Sequence, residues 1–191
     1  PSRRNASLWH ASADHLQQMK HVHDSITHAS RALSRLADDA LFANHLFDAT
    51  AYYLCQLAWL FEASAYQAHF EAIESKDTTT LAEYGNSALS AWDDLLTLYS
   101  TRDDYSLFRS AELMRSTGPT QARFIDPFIE QSAEYYFGYA LCSSQEEVAY
   151  FLRPQCEAFL AELDRSVSSG EPYAAGEPAR WYWHDFDARW K

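Results

Sequence analysis

The sequence predicts an all-α fold: an antiparallel helical bundle, or a short stack of helical hairpins, with an extended C-terminal tail. Three observations lead there. The 191 residues include only five Gly and six Pro, so tight turns are few and the elements between them are long. Neither residue occurs between Ser2 and Tyr84. Apolar side chains recur at steps of three and four, the helical period, rather than in the alternation of a strand.

The first helix is expected over about Ser12 to Asp38, capped by Ser12 with Asp14 in its first turn. Its stripe is Leu16, Met19, Val22, Ile26, Ala29, Leu33 and Leu36. The opposite face carries His15, Lys20, His21, Asp24, Arg31 and Arg35. A second helix follows over about Asp39 to Ser75. Between Tyr52 and Phe61 it is apolar on every side, which predicts a central position packed by several neighbours. Ser75-Lys76-Asp77-Thr78-Thr79-Thr80 favours a turn and a new cap. The third helix, about Thr80 to Ser100, presents Leu81, Tyr84, Ala88, Ala91, Trp92, Leu95 and Leu98 on one side. Gly85 inside it points to a close helix contact.

The fourth helix is expected from Asp103 to Ser116, with Asp103 and Asp104 at the positive end of the dipole. Thr117-Gly118-Pro119 stops it. The fifth spans about Thr120 to Cys142. The sixth spans Ser144 to Ser168, opens on a Ser144–Glu147 capping box, and is expected to kink or split near Arg153 because of Pro154. No fixed repeat period relates these segments. The organisation expected is therefore a helical domain over 1–170 and an aromatic-rich extended tail over 171–191, with Pro172 and Pro178 unable to continue a helix. Within that tail, Trp181, Tyr182, Trp183, Phe186 and Trp190 are the candidate partner-binding residues. Large aromatic side chains bury much area at modest entropic cost and are over-represented in binding hot spots.

Charge narrows the partners. Residues 1–35 carry net +3, residues 36–101 net −9 and residues 102–191 net −6, giving −12 for the chain. An acidic body repels a phosphate backbone, so nucleic acid is not an expected partner. The densest apolar stretch, Tyr52 to Phe61, is ten residues and too short to span a membrane. Other protein subunits are the expected partners. Pro1 to Ala13 holds Arg3, Arg4, three serines and no acid. That resembles the composition of an organellar transit peptide and raises the expectation of a mitochondrial location. A single sequon, Asn5-Ala6-Ser7, is weak support for secretion.

No catalytic, metal or cofactor site is expected. None of the eight histidines has Glu three positions before it, and His-Glu-x-x-His is absent. His21, Asp24 and His28 read as a solvated face. The pairs Asp38-Asp39, Asp93-Asp94 and Asp103-Asp104 lack the third carboxylate of a Mg²⁺-binding cluster and read as helix-start acids or solvated faces. There is no Gly-x-Ser-x-Gly and no phosphate-binding glycine loop. Cys55, Cys142 and Cys156 have no CxxC spacing and read as small buried side chains in a reducing compartment.

The stretch from Phe47-Asp48 to Leu107, with Phe128-Ile129-Glu130-Gln131-Ser132 beyond it, resembles the helical C-terminal domain of α-N-acetylglucosaminidases. Where that family carries Thr-Arg-Gln, this chain reads Thr50-Ala51-Tyr52. The resemblance implies a helical adjunct of a glycosidase and carries over no catalytic residue. Two functional expectations follow. One is a non-catalytic accessory subunit of a larger assembly, such as a mitochondrial ATP synthase or respiratory complex. The other is a helical domain belonging to an enzyme, or one that binds a small molecule.

Overall fold

The computed structural model describes residues 38–121, 144–171 and 173, with individual positions between 14 and 31 and at 123 and 127. These residues are helical with short connections, and no strand occurs among them. The long helix α1 (Ala40–Ser75) starts where Asp39 accepts the N–H of Phe42 at 3.0 Å. It ends at Lys76, whose left-handed backbone (φ 61°) returns its N–H to the Ala72 carbonyl. Asp77 then accepts both the backbone N–H and the hydroxyl of Thr79, at 2.9 and 2.6 Å. That clamp holds the link to α2 (Thr79–Tyr99), which runs back antiparallel to α1.

Beyond α2 the chain differs from expectation. Asp103–Tyr105 form a single 3₁₀ turn, and α3 (Leu107–Ser116) begins only after it, with Ser106 as its cap. Asp104 is drawn to Arg102, and Asp103 lies 3.6 Å from Arg109. The cap is completed from far along the chain. Glu146, itself buried, accepts the Ser106 hydroxyl at 2.6 Å and the N–H groups of Leu107 and Phe108 at 2.8 and 3.2 Å. A carboxylate placed there satisfies free N–H groups and meets the positive end of the dipole.

The last helical stretch begins at Ser144, whose hydroxyl accepts the N–H of Glu147 at 3.2 Å. It passes through a π-turn at Val148–Leu152 into α4 (Arg153–Ser169). The break in regular α-helix expected near Arg153 takes the form of this π-turn, and the chain stays helical through Pro154. Proline removes one N–H, and in an α-helix its ring would meet the carbonyl four residues earlier. The π-turn, in which the Arg153 N–H reaches the Val148 carbonyl, widens the backbone there, and the helix runs on. Gly170 ends α4 in the left-handed conformation (φ 73°).

Two core clusters fix the packing. Phe47, Ala51, Cys55 and Ala58 of α1 meet Ala88, Ala91, Trp92, Leu95 and Tyr99 of α2, with Val148, Leu152 and Cys156 closing over them. Further along, Ala65, Ala68 and Ala72 meet Leu81, Leu163 and Val167. α4 therefore runs parallel to α1 and antiparallel to α2. A Cβ on Gly85 would stand 3.1 Å from Leu160 Cδ2, so this glycine does mark a close crossing of α2 and α4. α1 lies against α2 and α4, and the His23 ring stacks on Tyr53 at 5.4 Å; the all-round burial expected of Tyr52 to Phe61 is not met, since only Cys55 and Ala58 there are buried and Tyr52 is half exposed. α1 buries mostly small residues, while Leu54, Leu57, Trp59, Leu60 and Phe61 stay only half-covered.

Of the first expected helix, the positions described are helical, and Lys20, His21, Asp24 and Arg31 are exposed; Leu16, Met19, Ile26, Leu33 and Leu36 lie outside the described residues. So does most of the fifth expected helix.

Candidate functional site

The seam of α1 reads Ala51, Cys55, Ala58, Glu62, Ala65, His69, Ala72, in steps of four and three. This is the heptad spacing of a helix packed along its whole length. Two ionisable residues occupy it, and each is the centre of a cluster.

Glu62 lines an open groove of 360 Å³ together with Trp59, Ala63, Tyr66, Phe159 and Tyr173. Its Oε1 accepts the indole N–H of the fully buried Trp92 at 2.8 Å, and the Cys156 thiol also hydrogen-bonds to it. Burial pushes its pKa up from the ordinary carboxylate value, against the pull of those two donors. No basic side chain among the described residues pairs with it. The rings above it pack on one another: Tyr66 and Tyr173 are 5.8 Å apart, Phe159 and Tyr173 5.9 Å.

His69 is 2% exposed. Its Nε2 lies 3.0 Å from the Ser166 hydroxyl, which donates to the Glu171 carbonyl at 2.7 Å. The serine has one proton, already given to Glu171, so it must accept from His69. That assigns the proton to Nε2 and leaves Nδ1 buried without a hydrogen-bond partner among the described residues. Burial lowers the His69 pKa. A serine beside a histidine invites a nucleophile reading, and the geometry rejects it. Ser166 is fully buried, its proton is committed, and among the described residues no carboxylate orients the far side of the ring. The pair instead clips the chain after α4 to the body. Of the expected extended tail, the half-buried Tyr173 packs on Tyr66 and Phe159, while Glu171, exposed, is joined to α4 through its carbonyl and its pairing with Arg165.

The remaining candidates are structural. Asp39 caps α1, and Asp93 pairs with Arg153 at 2.5 Å. Arg102 stacks over Phe47 at 4.8 Å and donates to Asn44 at 2.7 Å. Among the described residues, no three His, Cys, Asp or Glu gather where they could hold a metal ion, and no helix is long and apolar enough to cross a membrane. Cys55 and Cys156 are buried as expected, and the disulfide at Cys55 corrects the reading of all three as reduced thiols. Cys55 is disulfide-bonded, whereas Cys156 is a free, buried thiol whose pKa burial drives upward; Cys142 lies outside the described residues.

Sequence reasoning missed Glu62 and His69. The signal was there: two polar residues seven apart on a seam otherwise made of small apolar ones. Trp181, Tyr182, Trp183, Phe186 and Trp190 all lie outside the described residues. No family model matches this chain, and no curated protein or solved structure matches it.

Proposed function

We propose that this chain is a non-catalytic helical module that works by packing against another protein surface in a larger assembly. The observation that carries the reading is the inverted use of side-chain size on α1. Small residues make up most of its seam, while its bulky apolar ones other than Phe47 stay at best half-covered, and Leu41 and Tyr52 are exposed at 65% and 50%. On α3, Leu113 is exposed at 68% and Met114 at 50%. Apolar surface left uncovered beside a well-packed core is what a packing partner removes from water. The aromatic residues Trp181, Tyr182, Trp183, Phe186 and Trp190 are the contacts we assign to the partner. A mitochondrial energy-transducing complex is the form of this reading that the composition of residues 1–13 supports.

The test is native-size analysis of the tagged chain in its own cells. The body must stay intact, and Glu171 and Tyr173 belong to it, so the deletion removes 174–191 only. We expect the intact chain to migrate in a complex well above its 21.9 kDa, and the truncated chain to melt cooperatively yet migrate alone. Normal assembly of the truncated chain would defeat the assignment of those contacts. Migration of the intact chain as a monomer would defeat the module reading itself.

The disulfide at Cys55 favours a second reading. Such bonds persist in secreted, lumenal and periplasmic proteins, and a helical adjunct of a secreted enzyme is the form of the second reading that this bond supports. A reading frame continuous with an upstream catalytic domain would decide for it.

A further inference from the structure

We propose that the groove beside α1 binds an organic ammonium group, held by the Glu62 carboxylate and walled by Trp59, Tyr66, Phe159 and Tyr173. The inference is independent of the packing reading, because it rests on the groove alone.

Glu62 is a carboxylate in a packing seam with no counter-ion among the described residues. Its two donors, the Trp92 indole and the Cys156 thiol, are neutral. They orient the carboxylate without cancelling its charge. A desolvated charge left in that state is costly, and the cost is relieved by an opposite charge at close range. The groove opens onto this carboxylate and, among the described residues, offers it no Lys or Arg. Its other described lining side chains are an alanine and four aromatic rings. Ring faces attract cations, and they attract alkylated ammonium groups most effectively because those shed water readily. The 360 Å³ of space lies within the roughly 300–1,000 Å³ of ordinary small-ligand sites. A net charge of −12 draws cations towards the molecule.

Other ligand classes fit worse. An anion would face the carboxylate directly. A hard divalent cation needs several oxygen ligands, and the groove supplies one carboxylate. A neutral apolar ligand would bury the charge further without compensating it. The upward pull on the Glu62 pKa agrees with a site waiting for a positive charge.

The experiment is a fluorescence titration of the 191-residue chain, in which Trp59 and Trp92 report on the groove. The probes are tetramethylammonium chloride, a trimethyllysine peptide, and tert-butanol as a neutral molecule of similar shape, each against matched sodium chloride. Tetramethylammonium is expected to give a saturable change that tert-butanol does not. Glu62→Gln, which keeps an oxygen for Trp92, is expected to weaken binding by about tenfold or more, the scale of a desolvated charge contact. Saturation by tetramethylammonium alone identifies a free amine as the ligand; saturation by both, with the peptide tighter, identifies a protein-borne ammonium. The proposal fails if tetramethylammonium gives no saturable change, whatever the peptide does. It also fails if tert-butanol binds as well, or if a folded Glu62→Gln variant binds within about twofold of the parent. The comparison with tert-butanol needs no variant, so it decides the matter even if Glu62→Gln does not fold.

Discussion

Glu62 and His69 share a seam and respond oppositely to pH. Burial raises the Glu62 pKa above its ordinary 4.5. The fold therefore disfavours its ionised form, and the stability gained by the protonated form is lost as pH rises through the folded value. Glu62→Gln removes the charge and keeps the acceptor for Trp92. The variant is expected to melt higher than the parent at pH 7, with the advantage vanishing as acid protonates Glu62; calorimetry at pH 7 and pH 4 checks it. A lower midpoint at pH 7 would show that the charge helps the fold. His69 has the other sign. Its folded pKa lies below the ordinary 6.5, so its contribution is complete above about pH 6.5 and is lost as pH falls through the folded value. Comparing the parent with His69→Gln between pH 7 and pH 5 isolates this contribution. The parent is expected to lose stability faster, and parallel curves would remove His69 from the acid response.

At the scale of elements, α3 depends on a residue nearly forty positions away. Glu146 takes three donors at its N-terminus, so Glu146→Ala leaves all three without that acceptor. The expected cost is about 2 kcal/mol or more, above an ordinary cap because the site is buried. Urea unfolding checks it, and a change under about 0.5 kcal/mol, the size of an ordinary surface substitution, would contradict the assignment. This cap was invisible in the sequence. The capping box at Ser144 and Glu147 could be read because its parts lie three residues apart; Glu146 acts across a fold that no local pattern encodes. The helices themselves were legible, since the run without Gly or Pro and the three-four spacing are local. Asp39, Gly85 and the break at Lys76 were legible for the same reason. The groove was not. Glu62 lies on a heptad seam that could have been read, but the rings of Phe159 and Tyr173 meet it only after α4 packs beside α1.

Across the whole molecule, the disulfide at Cys55 and the thiol at Cys156 divide the cysteine chemistry. Cys55 sits in the core cluster joining α1 and α2. Reducing the folded chain is expected to cost about 2–4 kcal/mol, the usual contribution of such a bond, read as a lower melting temperature in dithiothreitol. An unchanged midpoint would show that the bond adds no stability. Cys156 is expected to resist alkylation until the protein unfolds, because it is 1% exposed and its thiolate is disfavoured. The π-turn acts at this scale too. Val148, Leu152, Cys156 and Leu160 face the body at steps of four. Steps of four overshoot an α-helical turn by about 40° each and would carry the later residues off that face. The wider turn at Val148–Leu152 absorbs much of that drift. It works as a phase corrector, and its single surplus residue sets the rotation of everything after it. Removing that residue would restore an unbroken α-helix and turn α4 by about 100°. Arg165 or Val167 would then swing toward the place where Ser166 now meets His69, and the clip holding Glu171 and Tyr173 would have nothing to close on.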